Sequence, residues 1–198
     1  NFHAYAADVT IRLGNKDTIT HHDQVIEADW EVTLANTGID TMTGGRIAIA
    51  SKHLKDSDQT FFLTYGDAVS DIDIAASLDS HRSSGKLITV AAVHPEGRFG
   101  ELHLHDSSVK GFLEKPARVD NYINGGFMVV EKAFVSRYLT DAKDLVFEQA
   151  PMCRAMSEDN MNAFRHEGFW QCMDTQREYQ LLNDLWKSGN APWASRWN

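Results

Sequence analysis

A chain of 198 residues, 42% hydrophobic and 24% charged, can bury a sizeable core and has the balance of an ordinary soluble globular protein. Its net charge of −9, from 19 basic and 28 acidic side chains with no long basic run, argues against nucleic acid as a partner but leaves room for a small phosphorylated ligand. No apolar run approaches the ~20 residues of a membrane span, and Cys153 and Cys172 form neither a metal-type pair nor a disulfide framework, so no membrane partner and a reducing cytoplasm are expected.

The chain opens at Asn1 without a methionine, which suggests that it begins partway through a gene product or after processing. Asp8 to Leu13 alternates polar with apolar and β-branched residues and predicts a strand. Gly14 to Asp29 is polar and reads as a solvated loop or an edge hairpin. The adjacent His21 and His22 point to opposite faces of an extended chain, which disfavours a shared metal. Trp30 to Leu34 predicts another strand. Asn36 to Arg46 is dense in glycine and small hydroxyl residues and leads into a helix over 47–54. A Thr43-Gly44-Gly45 start leaves backbone N–H groups at the positive end of that helix, a place for phosphate. Arg46 in the first turn opposes the helix dipole, so it suits a ligand better than the helix. Ordinary glycine punctuation explains the same stretch equally well.

Phe61 to Tyr65 is a short apolar run, as in a buried strand, that stops at Gly66-Asp67. Open α/β sheets bind ligands at the carboxyl ends of their strands, which makes Asp67 a candidate metal ligand, with a plain Gly-Asp turn as the alternative. A helix over 73–84 follows, capped by Asp73, with Ile74, Ala75, Leu78 and His81 on one face and Gly85 at its end. Strands are expected at 86–93, 101–105 and 109–113. His103 and His105 share a face of the second, but no third ligand accompanies them. The third delivers Glu114-Lys115-Pro116, a lysine held at a strand end where it suits an anion. Gly125-Gly126, in a strand over 122–130, allow either close approach of a ligand or a bulge. A helix over 132–139 follows, then helical spacing over 144–156 that Pro151 breaks. The apolar run 168–173 ends at Asp174 and opens a helix over 176–187, giving a second carboxylate in the topological position of Asp67.

Two strand-end aspartates with Lys115 and Arg46 describe a metal-assisted phosphate site. Mg²⁺ prefers one or two carboxylates plus phosphate oxygens and water, and positioned cations stabilise charge on a reacting phosphate. No Ser–His–Asp set, Cys–His set or zinc spacing stands out. With no internal repeat and no linker, one domain over 1–198 is expected.

In order along the chain stand Thr37-Gly38, Met42-Thr43-Gly44-Gly45-Arg46, Thr64-Tyr65-Gly66-Asp67, Gly97-Arg98-Phe99-Gly100 and Glu114-Lys115-Pro116. They continue with Ile123-Asn124-Gly125-Gly126-Phe127, Gly168-Phe169-Trp170, Met173-Asp174-Thr175 and Ala191-Pro192-Trp193. Across almost its whole length the chain resembles the sugar nucleotidyltransferases. The Gly-Asp, Glu-Lys-Pro and Asn-Gly-Gly elements mark that family broadly. Met-Thr-Gly-Gly-Arg, Gly-Arg-Phe-Gly and Ala-Pro-Trp resemble its glucose-1-phosphate cytidylyltransferase branch.

The resemblance implies an α/β, Rossmann-like three-layer domain and transfer of CMP from CTP to glucose 1-phosphate, giving CDP-glucose and pyrophosphate. It implies Mg²⁺ as cofactor, held by Asp67 and Asp174, and catalytic roles for Asp67, Lys115 and Asp174. Thr41, Arg46 and Gly66 would contact the nucleotide. Lys115 would bind the sugar phosphate, and Glu114, Gly100 and Asn124 the sugar. A homo-oligomer is also implied. Two departures stand out. The family's opening strand and Gly-rich loop with Gly-Thr-Arg have no counterpart here, so this chain alone is expected to bind sugar phosphate without turning over CTP. The sheet edge left by those strands is expected to be covered by self-association or by a companion fragment. Ala68 replaces a usual glycine, which is tolerated unless that position needs a positive φ.

Overall fold

A computed structural model describes residues 9–12, 18–21, 31–95, 101–113 and 121–194, with side chains over 31–95, 105–111 and 121–194. Residues Asn1–Asn36 and Thr37–Asn198 form two compact units. In the first, β1 (Val9–Arg12) and β2 (Thr18–His21) pair antiparallel, Val9 opposite His21, so the described part of the polar segment is a strand paired with the one expected at Asp8–Leu13. Residues 31–38 have no regular structure, which corrects the strand expected at Trp30–Leu34 over its described part. Val32 and Leu34 are exposed there, and among the described residues no strand pairs with the segment, so its alternation has nothing described to pack against.

The second unit runs α1 (Thr43–Ala50), β3 (Thr60–Thr64), β4 (Ala68–Ser70), α2 (Ile74–Ser84) and β5 (Ile88–Val93). It continues with β6 (Glu101–His105), β7 (Ser108–Leu113), β8 (Ile123–Glu131), α3 (Lys132–Tyr138) and α4 (Ala150–Ser157), then β9 (Met161–His166), β10 (Trp170–Cys172) and α5 (Gln176–Lys187). The main sheet has the order β3-β8-β5-β9, with β8 antiparallel to β3 and β5, and β9 parallel to β5. One edge of this sheet therefore gathers the carboxyl ends of β3, β5 and β9 and the first residues of β8. Two short ladders stand beside it, β4 with β10 and β6 with β7, both antiparallel.

Alternation along the strands builds three layers. Ile88 and Val90 of β5 and Met128 and Val130 of β8 pack with Ala48 of α1, Phe134 and Tyr138 of α3, Phe147, and Met152 and Ala155 of α4. Thr89, between the two apolar residues of β5, faces α2 instead. His81 Nδ1 lies 2.8 Å from Thr89 Oγ1, and Nε2 lies 3.0 Å from Glu131 Oε1, which also accepts from Thr60 Oγ1 at 2.7 Å. Helices thus cover both faces of the sheet, as the three-layer α/β reading expects. The inward face of α2 departs from expectation: Ser77 and His81 are buried while Ile74 is exposed, because the strands beneath present Thr89 and Glu131. Asp73 caps this helix as expected, accepting the Ala76 N–H at 3.0 Å.

Pro151 does not break a helix over 144–156; it stands in the first turn of α4, where a missing N–H costs nothing. Residues 142–148 instead run past the start of α1. No described helix is long and apolar enough to cross a membrane.

Candidate active site

The sheet edge that collects the ends of β3, β5 and β9 carries Gly66, Asp67 and Asn124 of the expected site residues. Tyr65, Gly66 and Asp67 leave β3 here. The Tyr65 N–H donates to Gly126 O at 3.1 Å, and its phenol donates to Glu148 Oε1. Burial first, and the Glu148 carboxylate second, push the Tyr65 phenol well above its ordinary value. Glu148 Oε2 accepts from Thr43 Oγ1 at 2.9 Å, and Thr43 Oγ1 accepts the Phe147 N–H at 2.9 Å. One exposed carboxylate therefore joins the start of α1 to the end of β3.

Asn124 sits on the same edge, exposed, with Oδ1 accepting the Gly126 N–H at 2.9 Å. Of the two readings for Gly125-Gly126, the bulge is present: the β5–β8 register shifts between Val90 and Ala92. Gly126 has φ +77°, and a Cβ there would lie 2.8 Å from Tyr65 Cδ2.

The β4–β10 ladder sets the backbone of Asp67 beside that of Met173, the residue before Asp174. Cys172 stands opposite Ala68, and one residue further Met173 donates its N–H to Asp67 O at 2.7 Å. Both aspartates are exposed. Ala68 is free of positive φ, so the alanine is tolerated where the resembling family has glycine. Beyond Asp174 a capping box opens α5: Glu178 Oε2 accepts the N–H groups of Asp174 at 2.8 Å and Thr175 at 2.9 Å, while Glu178 N donates to Thr175 Oγ1. That Thr-x-x-Glu signal is legible in the sequence and was not used.

The donor chemistry separates two ion readings. Ligand atoms of Cys172, Asp174 and Glu178 lie within 4.8 Å of one another, a set that mixes a soft thiol with a carboxylate already engaged in capping. Asp67 and Asp174 offer hard, exposed oxygens, the donor type Mg²⁺ takes.

At the start of α1 the expectation of open N–H groups is corrected. Gly44 and Gly45 both donate to Leu145 O, at 2.8 and 3.3 Å, and Met42 donates to Lys143 O at 2.7 Å. The 142–148 segment satisfies the helix end that phosphate was expected to use, and it explains the small residues: a Cβ on Gly45 would lie 2.5 Å from Ala142 O. Arg46 fastens the preceding loop, with Nη1 on Thr37 Oγ1 at 2.8 Å and Nη2 on Ile39 O at 2.9 Å. Thr41 is buried beneath that loop. Gly66 is exposed, lacks a positive φ, and would meet nothing within 4 Å if it carried a Cβ.

Glu114, Lys115 and Gly100 lie outside the described residues, as does the His103 side chain. His105 is exposed beside Asp106, Nδ1 to Oδ2 3.4 Å. A Ser70–Asp71–His166 group is present that sequence reading did not find. His166 Nε2 lies 2.9 Å from Asp71 Oδ1, 3.3 Å from Ser70 Oγ and 3.1 Å from Phe169 O. All three contacts use one ring nitrogen, whereas nucleophile activation needs the base to face the serine with one nitrogen and the acid with the other. The group ties the 166–169 turn to β4.

This is a nucleotide-handling α/β architecture with two acidic positions beside the β4–β10 ladder. Residues 8–182 match the family described as nucleotidyl transferase, and the chain belongs to that family. Over 195 residues it is 40% identical to glucose-1-phosphate cytidylyltransferase of Salmonella typhimurium, covering 98% of this chain and 74% of that enzyme. The enzyme of the same name from Salmonella typhi gives the same identity and coverage. The crystal structure of HddC from Yersinia pseudotuberculosis shares the fold, with a TM-score of 0.51 at 20% identity over 73% of this chain and 62% of that chain.

Proposed function

We propose that this chain carries the chemistry of a glucose-1-phosphate cytidylyltransferase. A phosphate oxygen of glucose 1-phosphate attacks the α-phosphorus of CTP. The bond from that phosphorus to the bridging oxygen breaks, and pyrophosphate leaves with the electron pair, giving CDP-glucose. The observation that supports this reading is the Met173–Asp67 backbone bond, which sets Asp67 beside the residue before Asp174 in a chain 40% identical to the Salmonella enzyme.

Asp67 and Asp174 would hold Mg²⁺, which when bound supplies positive charge against the reacting phosphate. The remaining roles belong to this chain's own groups. Open space above Gly66 admits the nucleotide against the backbone. Arg46 has further guanidinium donors for the nucleotide beyond the two it spends on Thr37 and Ile39, whereas Thr41 is buried and would contact the nucleotide only if the 37–42 loop shifts. Lys115 binds the sugar phosphate, and Glu114, Gly100 and Asn124 take the sugar hydroxyls. The family match from residue 8 to 182 supports a single nucleotidyltransferase domain over 1–198. A cytoplasmic location and a homo-oligomer complete the reading.

Calorimetric titration with CTP in Mg²⁺, alongside pyrophosphate release in the presence of glucose 1-phosphate, tests it. Saturable CTP binding that UTP, GTP and dTTP displace poorly supports the cytidylyl assignment. Equal competition by another nucleotide reassigns the base, and no nucleotide binding at all overturns the reading.

A further inference from the structure

We propose that Glu148 is a positioning residue for the Gly66-Asp67 turn, acting through the side chain of Tyr65. The proposal rests on the reading of Asp67 as a metal ligand. Packing does not fix this turn: Gly66 is exposed, with no atom within 4 Å of where a Cβ would be. Hydrogen bonds do. Behind the turn, Asp67 O accepts from Met173 N at 2.7 Å; ahead of it, Tyr65 N donates to Gly126 O at 3.1 Å. The third tie is the Tyr65 phenol, which donates to Glu148.

Glu148 suits this task because both of its oxygens are engaged from different elements. Oε1 takes the Tyr65 hydroxyl at the end of β3, and Oε2 takes Thr43 Oγ1 at the start of α1. The Phe147 N–H in turn donates to that threonine hydroxyl, so the carboxylate is anchored from its own segment as well. An exposed carboxylate held at both oxygens keeps one orientation, and its acceptor-only character is matched by two hydroxyl donors. Glutamine retains one acceptor oxygen and puts an amide N–H donor at the other position, so one hydroxyl must reverse its role and both bonds lose their charge assistance. Removing a partner that orients a metal ligand typically weakens metal affinity by about 10–100-fold.

Mn²⁺ serves as a paramagnetic probe in place of Mg²⁺. Its affinity, read by electron paramagnetic resonance, is compared in the native chain, Glu148→Gln, Tyr65→Phe and the double variant, with the thermal midpoint of each recorded. The proposal expects each single variant to bind Mn²⁺ about tenfold more weakly and the double variant no more weakly than the worse single one. Where turnover is measurable, kcat falls while the KM for glucose 1-phosphate holds. Mn²⁺ affinity unchanged in folded Glu148→Gln, or losses that multiply in the double variant, overturns the proposal alone. If Glu148→Gln fails to fold, Tyr65→Phe decides by the same criterion. Absence of Mn²⁺ binding by the native chain overturns the metal reading of Asp67 and this proposal with it.

Discussion

Met173 donates its backbone N–H to the carbonyl oxygen of Asp67 at 2.7 Å, one step beyond the last paired residues of the β4–β10 ladder, Ala68 and Cys172. This bond does what no local pattern could: it sets a turn after β3 against the residue that precedes Asp174. Each aspartate leaves its strand where the backbone is about to change direction, one toward β4 and the other toward the capped start of α5. The site follows from the ladder's antiparallel register, and its acidic positions sit where backbone hydrogen bonding, rather than side-chain packing, holds the chain.

Asp67→Asn and Asp174→Asn should each weaken Mn²⁺ binding by about tenfold or more and, where turnover is measurable, lower it by about 10² or more, since a metal's contribution to charge stabilisation is worth several kcal/mol. Both side chains are exposed, so the thermal midpoint should stay nearly unchanged, as for surface substitutions within about 0.5 kcal/mol. Mn²⁺ titration and thermal unfolding of each variant check the two halves. Unchanged Mn²⁺ affinity in either variant removes that residue from the metal site.

His81→Ala should be among the most destabilising single substitutions in the described residues. The ring is 1% exposed, and its loss leaves Thr89 Oγ1 and Glu131 each short of a partner beneath α2. The cavity and two lost hydrogen bonds, with Thr89 keeping Asn162 and Glu131 keeping Thr60 as partners, cost about 2–4 kcal/mol. His105→Ala, on an exposed strand end, should cost under about 0.5 kcal/mol. Urea midpoints of the two variants give the comparison directly.

Acid stability should carry a contribution from Glu158. The Tyr138 hydroxyl donates to Glu158 Oε2 at 2.7 Å and holds this carboxyl below its ordinary range; burial opposes the shift, and the charges of Arg137 and Arg154 add to it. A depressed carboxyl contributes stability that is fully present above its unfolded value and is lost as pH falls through the folded value. The same bond raises the Tyr138 phenol, by burial first and Glu158 second, a contribution present below the unfolded tyrosine value and lost as pH rises through the folded one. Glu158→Gln should therefore be less stable at neutral pH and show a shallower decline on the acid side. Denaturation midpoints from neutral pH down to about pH 2 measure this. Parallel curves for the two proteins would exclude the contribution.

What was legible in the chain was what local pattern decides. Alternation and apolar runs placed β3, β5, β8 and α5 close to their observed bounds, and the Asp73 cap and Gly85 stop framed α2. The strand ends just before Asp67 and Asp174 were legible because each aspartate follows a strand-like run. Features settled by distant partners were not. Glu148 bonds Tyr65 and Thr43 from 83 and 105 residues away, and no motif marks it. The Thr-Gly-Gly start of α1 looked open to phosphate because the Leu145 carbonyl that closes it lies in another element. Pro151 was read as a breaker, although a proline at the start of a helix and one inside it look alike until the helix bounds are known.

Gly45→Ala sets two effects against each other. Replacing glycine by alanine inside a helix ordinarily gains about 0.8–1 kcal/mol. Here the new Cβ would lie 2.5 Å from Ala142 O and 2.8 Å from Thr41 Cγ2, and the first of these is backbone that cannot swing away. Overpacking of that kind costs about 1–3 kcal/mol. Net destabilisation is expected, visible as a lowered urea midpoint; a raised one would show that the 142–148 segment yields freely.

Gly66→Ala should do the opposite of Gly45→Ala, and the contrast separates a glycine kept for folding from one kept for a ligand. The fold makes no demand at this position: Gly66 has no positive φ, is exposed, and offers a Cβ open space with nothing within 4 Å. Alanine also narrows the unfolded ensemble, a gain of about 0.4–1 kcal/mol where the native backbone suits it. Thermal stability should therefore hold or rise slightly. Nucleotide binding should weaken, because the open space above the backbone is what the proposed site offers CTP, and a methyl group there keeps the ligand from close contact. Calorimetric CTP affinity and the thermal midpoint, measured on the same preparation, decide the matter. Unchanged affinity in the stable variant would place the nucleotide elsewhere on the sheet edge, away from the Gly66-Asp67 turn.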